Sequence, residues 1–412
     1  MKKITFIDLF AGCGGLTEGF LQTGKFEGLA HLEWELPMVN TLRRRLVDKW
    51  NHTEDEAVKN VIHFDIQKIE ELFNGNWSKE SLNKYQYTNH TLILNEGLKG
   101  LIDGRKVDLI IGGPPCQAYS IAGRAQDKNS MKDDYRNYLF ESFVKVVNEF
   151  KPEVFVFENV PGLLSAMPGG KPVTERIFEA FKDIGYSIRV PNLLSKSVYS
   201  AYELGVPQKR NRVIIIGVKD EGKTNLEEIY SELDSLKKNI KPKNVLDTIG
   251  HLPKFVPLES PIKIKGKNIS HKVLGENNIK FHEARFHNER DIKTFKNWLL
   301  NDMNNKNSKN KISFYNDLLG KKSNHAKYRN LEWDKPSPTI VAHLHKDGLM
   351  FLHPDIQQSR SITVKEAALL QSFPDDYEFC VSQGSAFKMI GNAVPPTMAF
   401  QIALAINNKL NL

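Results

Sequence analysis

Apolar residues in this chain gather into short continuous runs bounded by glycine, proline and polar clusters. The first, residues 4–10 (Ile-Thr-Phe-Ile-Asp-Leu-Phe), ends in Ala-Gly-Cys-Gly-Gly and passes into helical spacing through Leu16, Phe20 and Leu21, which predicts strand, glycine turn and helix. Similar runs recur at Val107–Ile111, Val154–Phe157 and Val213–Val218, separated by helix-length segments such as Leu139–Phe150 and Val173–Ile184. Continuous rather than alternating apolar strands, interleaved with helices, predict an α/β fold with a mostly parallel sheet covered on both faces. Ligands in such sheets bind beyond the carboxyl ends of the strands. Three of the four runs have a chemically unusual segment just after them, and the fourth begins with one.

Two stretches depart from this pattern. Residues 67–106, with Asn74-Gly75-Asn76, Asn83 and Asn89, read as an insertion ahead of the second run, and 219–335 as a separate irregular domain. From Pro336 to Leu412 the patterning is apolar and helical again, so the C-terminus is expected to complete the first domain. Ser361–Pro374 predicts a helix opened by a capping box of Thr363 and Glu366 and stopped at Pro374; Met398–Ile406 predicts another.

The length of 412 residues suits two packed units, each able to bury a core without staples. With 26% charged and 40% hydrophobic residues the chain is no disordered polymer. No apolar run of membrane-spanning length stands out and no signal peptide precedes the first strand, so a soluble, cytoplasmic protein is expected. Cys13, Cys116 and Cys380 form no CxxC pair, which argues against zinc or a disulfide framework and leaves single-thiol chemistry. The net charge is +8, and residues 219–335 hold 24 Lys and Arg against 16 Asp and Glu, an excess of eight, leaving 33 of each elsewhere. All of the excess lies in that stretch, which is rich in Asn and approaches low complexity near Asn301–Lys311. It reads either as solvated surface with mobile loops or as a basic face for a polyanion.

Chemistry clusters after the strands. In Phe10-Ala-Gly-Cys-Gly-Gly15, Gly12, Gly14 and Gly15 carry no side chain to keep a ligand from the backbone. Thr17 stands where a dinucleotide fingerprint wants glycine, so NAD and FAD are not favoured. About twenty residues on, His31-Leu-Glu-Trp-Glu35 offers Glu33 to ribose hydroxyls and Trp34 as a flat face for adenine, while Asp65 could accept from the adenine amino group. Each alone also reads as a surface carboxylate or a core tryptophan. In Gly112-Gly-Pro-Pro-Cys-Gln-Ala-Tyr-Ser120 two prolines force an extended exit that carries Cys116 past the sheet edge. Glu158, ending the third run, is a candidate general acid on the same rim. Arg210 and Arg212, two apart in strand spacing, share a face suited to anionic or carbonyl oxygens, or mark a basic strand entrance. Ile390-Gly-Asn-Ala-Val-Pro-Pro396 is a further rigid turn.

Taken in order, FIDLFAGCGG, HLEWE, FDI, GGPPCQAYS, ENVPG, QKRNRV, ITVKEAALLQSFPDDY and GNAVPP resemble the cytosine-C5 DNA methyltransferases of restriction-modification type along the whole chain. The resemblance implies a Rossmann-like, S-adenosylmethionine-dependent methyltransferase fold with a smaller irregular target-recognition domain. The implied organisation is a catalytic and cofactor-binding domain over 1–218 containing the 67–106 insertion, a target-recognition domain and hinge over 219–384, and a return over 385–412. It implies Cys116 as nucleophile adding to C6 of a flipped cytosine, Glu158 at N3, Arg212 at O2, and Arg210 positioning the Cys116 loop or a phosphate. Phe10, Gly12, Glu33, Trp34, Asp65, Pro115 and Asn392 match family positions around S-adenosylmethionine. Gln117–Asp134 is a candidate closing loop. Double-stranded DNA is the implied partner of a monomer, with a cognate restriction endonuclease as a functional partner only and no membrane.

There are departures from the family pattern. Residues 67–106 exceed the interval of the most compact members, and Lys365 and Leu369 stand where arginine is common, so their helix is given no catalytic role. His271, Arg285, His287, Arg290 and the lysines are all open as DNA contacts. A tRNA cytosine methyltransferase and a non-catalytic DNA-binding protein on the same fold are the alternatives.

Overall fold

A computed structural model describes residues 2–115, 139–320, 322–346 and 348–410. Its strands are β1 (Ile4–Leu9), β2 (Phe26–Glu33), β3 (Val61–His63), β4 (Leu109–Gly112), β5 (Val154–Asn159), β6 (Tyr186–Ser187), β7 (Val198–Ser200), β8 (Gln208–Lys209), β9 (Asn211–Lys219), β10 (Phe255–Ile264), β11 (Lys267–Val273) and β12 (Ser337–Pro338). The chain divides into two units, one of residues 1–205, 210–241 and 393–412, the other of 206–209 and 242–392.

The first unit is built on a sheet of order β3-β2-β1-β4-β5-β9-β6, with β7 also paired to β9. Strands β3, β2, β1, β4 and β5 run parallel, and their continuous apolar sequences suit burial on both faces. The order reverses between β1 and β4, which opens a crevice at their carboxyl ends. Strand β9 runs antiparallel to β5, pairing Phe155 with Gly217 and Glu158 with Ile214. A Cβ at Gly217 would lie 2.1 Å from the Phe155 ring, so this position takes only glycine. Beneath the sheet Phe143, Phe155, Phe157 and Phe181 interlock, with Phe155 stacked on Phe181 at 4.1 Å.

Residues 67–106 are part of this core. They form helices Ile69–Asn74, Lys79–Tyr85 and Thr91–Ile102, and Leu72, Phe73, Trp77, Tyr85, Ile93 and Leu98 join the main apolar cluster. Residues 219–241, grouped above with the basic domain, likewise lie in the first unit, where helix Leu226–Lys237 contacts Pro396–Lys409. Gln383–Lys409 has the length and hydropathy of a membrane span, contrary to the expectation that no run does. It is two helices, Gln383–Asn392 and Pro396–Lys409, broken before Pro396, and 67% of its most apolar window is buried, as in core helices.

The second unit pairs β10 with β11 as an antiparallel hairpin and β12 with β8 in parallel. Helices Glu289–Leu300 and Ser308–Leu319 close over Phe295, Trp298, Met303, Tyr315 and Tyr328. The Asn-rich stretch read as loops is ordered by its amides. Asn288 and Asn307 cap the two helices by accepting from Asp291 N and Asn310 N, and Asn304 bonds both the N–H and the C=O of Asn330. The predicted capping box is present, with Thr363 and Glu366 opening helix Val364–Leu370. Glu366 also meets Arg360 through two bonds of 2.6 and 2.8 Å, both groups fully buried. Burial alone would raise the Glu366 carboxyl; Arg360 outweighs it and holds the group far below the ordinary range.

Candidate active site

The turn after β1 begins with Phe10 at φ +59°, a left-handed conformation rare for a bulky residue. Gly12 follows at φ +58°, and a Cβ placed there would meet only Met38 Sδ, at 3.9 Å. Space beside Gly12 is therefore open to a ligand. Gly14 and Gly15 have a different reason to lack side chains. A Cβ on Gly14 would lie 2.5 Å from Leu42 Cδ1, and one on Gly15 2.2 Å from Val394 O. Their role is to let the helix Gly15–Gln22 close on its neighbours, so the ligand-clearance reading narrows to Gly12.

At the end of β2 the Glu33 carboxylate is a hub. Its Oε2 accepts from Gly12 N, and its Oε1 from Trp34 N and Glu35 N, all at 2.8 Å. Burial pushes Glu33 up to about 7 against those three amide bonds, which favour the charged form. Trp34 is 49% exposed, so a broad indole face is available beside that hub. Asp65 is half-buried just past β3, its Oδ1 accepting from Gln67 N at 3.0 Å. Behind the turn, Thr17 lies 2.6 Å from Asp8 Oδ2 and 2.9 Å from His31 Nδ1. Burial raises Asp8 to about 7 and lowers His31 to about 3, so this inner trio approaches neutrality.

The second cluster sits where β4 and β5 end. The strand exit Gly113-Pro114-Pro115 is fixed by Asn159, whose Nδ2 donates to Pro114 O at 3.2 Å. A Cβ on Gly113 would come within 2.9 Å of Glu158 Oε2, so glycine there makes room for that carboxylate. Because β9 runs antiparallel to β5, its first residues lie beside the end of β5. Arg212 thus stands diagonal to Glu158 on one face, and its Nε meets Glu158 Oε1 at 2.8 Å. Arg210 does not share this position. It lies in the break between β8 and β9, buried, with Nη2 donating to Ala393 O at 3.0 Å. A guanidinium buried this way is not placed to meet a DNA phosphate.

Cys116 and the candidate closing loop Gln117–Asp134 lie outside the described residues. Asn392 is the exposed last residue of helix Gln383–Asn392 in the second unit. Of the four residues named beside the lysines as open DNA contacts, two are buried and Arg285 is partly buried. His271 Nε2 bonds Gln358 O, and burial lowers the ring to about 4. His287 bonds Ser361 Oγ, and burial lowers it to about 3. Arg285 donates to Leu344 O, His345 O and Lys346 O and lies over the Phe387 ring. Arg290 is exposed, as are Lys263, Lys265 and Lys267 at the β10–β11 tip. Nothing in the sequence marks His63, yet its Nε2 lies 3.0 Å from Trp34 O. A histidine ending an edge strand has no motif by which to find it.

Gly12, Glu33 and Trp34 gather after β1 and β2, and Glu158 and Arg212 pair where β5 ends and β9 begins, on the mostly parallel sheet of a Rossmann-like fold. The sequence profile of the C-5 cytosine-specific DNA methylases matches residues 4–75 and 54–408. The chain is 34% identical to the type II methyltransferase M.Bpa9945I of Bacillus paralicheniformis, covering 98% of this chain and 99% of that one. It is 31% identical to M1.HphI of Haemophilus parahaemolyticus, covering 98% and 87%. A solved structure described as a DNA modification methyltransferase encoded within an E. coli prophage superposes over all of both chains, with TM-score 0.60 at 23% identity. The chain belongs to the C-5 cytosine-specific DNA methylase family and is a DNA (cytosine-5-)-methyltransferase.

Proposed function

We propose that the protein methylates C5 of one cytosine within a specific duplex sequence, as the modification half of a type II restriction-modification system. The observation that carries the chemistry is the Glu158–Arg212 pair, 2.8 Å apart at the rim where the chain runs through Pro115 into Cys116. Cytosine C5 alone is too weak a nucleophile for methyl transfer. Addition of the Cys116 thiolate to C6 makes C5 an enamine carbon, while Glu158 hydrogen-bonds or protonates N3 and Arg212 holds O2. Loss of the C5 proton then expels the thiolate from C6 and restores the enzyme. S-adenosylmethionine, when bound, supplies the methyl group that C5 receives. Open space at Gly12, the buried Glu33 carboxylate and the half-exposed Trp34 suit its backbone contacts, ribose and adenine, with Phe10 and Asp65 bordering the same place.

The second unit supplies the grip on DNA. Lys263, Lys265 and Lys267 at the hairpin tip, with Arg290 on helix Glu289–Leu300, present cations to phosphates. Reaching a stacked cytosine also requires it to flip out of the duplex. The protein acts as a monomer in the cytoplasm, and its endonuclease partner shares the site without taking part in methylation. Tritiated methyl transfer to duplex DNA and to bulk tRNA tests the reading. Label in DNA alone is expected; label in tRNA alone, or in neither, would refute it.

A further inference from the structure

Nothing so far gives the 67–106 segment a task beyond packing, and its contacts converge on one place. Strand β3 is an edge strand, and Asn89 completes it with a side chain. Asn89 Oδ1 accepts from His63 N at 2.9 Å and its Nδ2 donates to His63 O at 2.8 Å. The same segment sets the His63 ring. Thr88 Oγ1 lies 2.8 Å from Nδ1, and Tyr85 packs edge-on at 5.0 Å. The opposite nitrogen, Nε2, lies 3.0 Å from Trp34 O. A carbonyl only accepts, so Nε2 carries a proton and donates it to Trp34 O, while Nδ1 is held against the Thr88 hydroxyl, which itself donates to Tyr85 O at 2.9 Å. Burial lowers the His63 pKa and favours the neutral ring.

Trp34 is therefore held through its main chain from two sides. Its N–H donates to Glu33, and its C=O accepts from His63. The indole itself is half exposed, so these main-chain bonds decide where its face points.

We infer that residues 67–106 form a buttress for the cofactor site, acting through His63 as a positioning residue that fixes Trp34 as the adenine platform. This rests on the reading of Glu33 and Trp34 as the nucleoside site. Ordinary edge-strand capping would explain Asn89. It would not explain a histidine clamped between that segment and the Trp34 carbonyl.

The test is calorimetric binding of S-adenosylhomocysteine to the full-length protein. Loss of one positioning bond should weaken binding in His63→Ala by about 3- to 10-fold. His63→Gln, whose side-chain amide can donate to the same carbonyl, should recover most of the loss. In a Trp34→Ala background, His63→Ala should add less than about twofold, because the group it positions is gone. Wild-type affinity in His63→Ala, full additivity with Trp34→Ala, or a glutamine variant as weak as alanine would each overturn the inference. Should His63→Ala not fold, Thr88→Val removes only the hydroxyl that sets the ring and should weaken binding in the same direction; unchanged binding there overturns it too. If the wild type itself fails to bind, the nucleoside reading fails and takes the buttress with it.

Discussion

Glu33→Gln isolates the cofactor hub with the smallest change in shape. The carboxylate serves three donors at 2.8 Å, Gly12 N on one oxygen and Trp34 N and Glu35 N on the other. A glutamine can keep the two donors at one oxygen only by turning its NH2 toward Gly12 N. One acceptor is then lost, two donors face each other, and the ribose hydroxyls meet an amide in place of a carboxylate. Loss of a hydrogen bond to a charged acceptor costs about 1.5–3 kcal/mol, or roughly 10- to 150-fold in affinity. The expected result is a KM for S-adenosylmethionine raised by about 10- to 100-fold with kcat within about threefold. Initial rates of tritiated methyl transfer at saturating DNA measure both. Because burial places Glu33 near 7, wild-type affinity should also rise as pH rises through that value and the acceptor ionises, whereas the variant should show no such rise. A collapse of kcat with unchanged KM would refute the assignment of Glu33 to the nucleoside.

Other outcomes follow from the same geometry. Glu158→Gln keeps the contact with Arg212 and removes the charge, so kcat should fall by about 100-fold with little change in the KM for S-adenosylmethionine; steady-state kinetics decide, and a pure KM effect would count against its role at N3. Replacing Lys263, Lys265 and Lys267 together by Ala should reduce the slope of log binding constant against log salt by about 2 to 3 while leaving the methylated sequence unchanged; an unchanged slope removes the hairpin from the interface. Asp8 is held near 7 by burial, so the folded state binds its proton more tightly than the unfolded chain, and stability from this group is lost as pH rises from its ordinary value through 7. Asp8→Asn should therefore gain stability relative to wild type across that range, on the order of 4 kcal/mol at the upper end; urea unfolding at several pH values checks it, and a pH-independent difference contradicts it.

Much of the catalytic unit was legible because its chemistry follows strands that announce themselves. Apolar runs located β1, β4 and β5, with Gly12 just past β1, Pro115 past β4 and Glu158 in the last two residues of β5; Glu33, at the end of β2, was reached by its spacing from the glycine turn. The direction of β9 was not legible. Runs buried on both faces favour a parallel sheet but do not mark which strand in it runs the other way, and the antiparallel course of β9 brings Arg212 to Glu158 while Arg210 is buried against Ala393 O. The packing need at Gly14 and Gly15 was not legible, because a glycine needed for packing looks the same in sequence as one that clears a ligand. Polar residues misled in the basic stretch. His271, His287 and the asparagines look like a solvated or DNA-facing surface until their buried or capping partners are known. His63 had no pattern at all, since its meaning depends on Trp34 and Thr88, residues far from it in the chain.

The central claim is covalent methylation of a defined cytosine through Cys116. Bisulfite sequencing of DNA from cells expressing the wild type and Cys116→Ser tests it in one measurement. The account predicts complete protection of one cytosine in a single sequence context with the wild type and none with the serine variant. Methylation retained by Cys116→Ser, or absent from wild-type DNA, would contradict it.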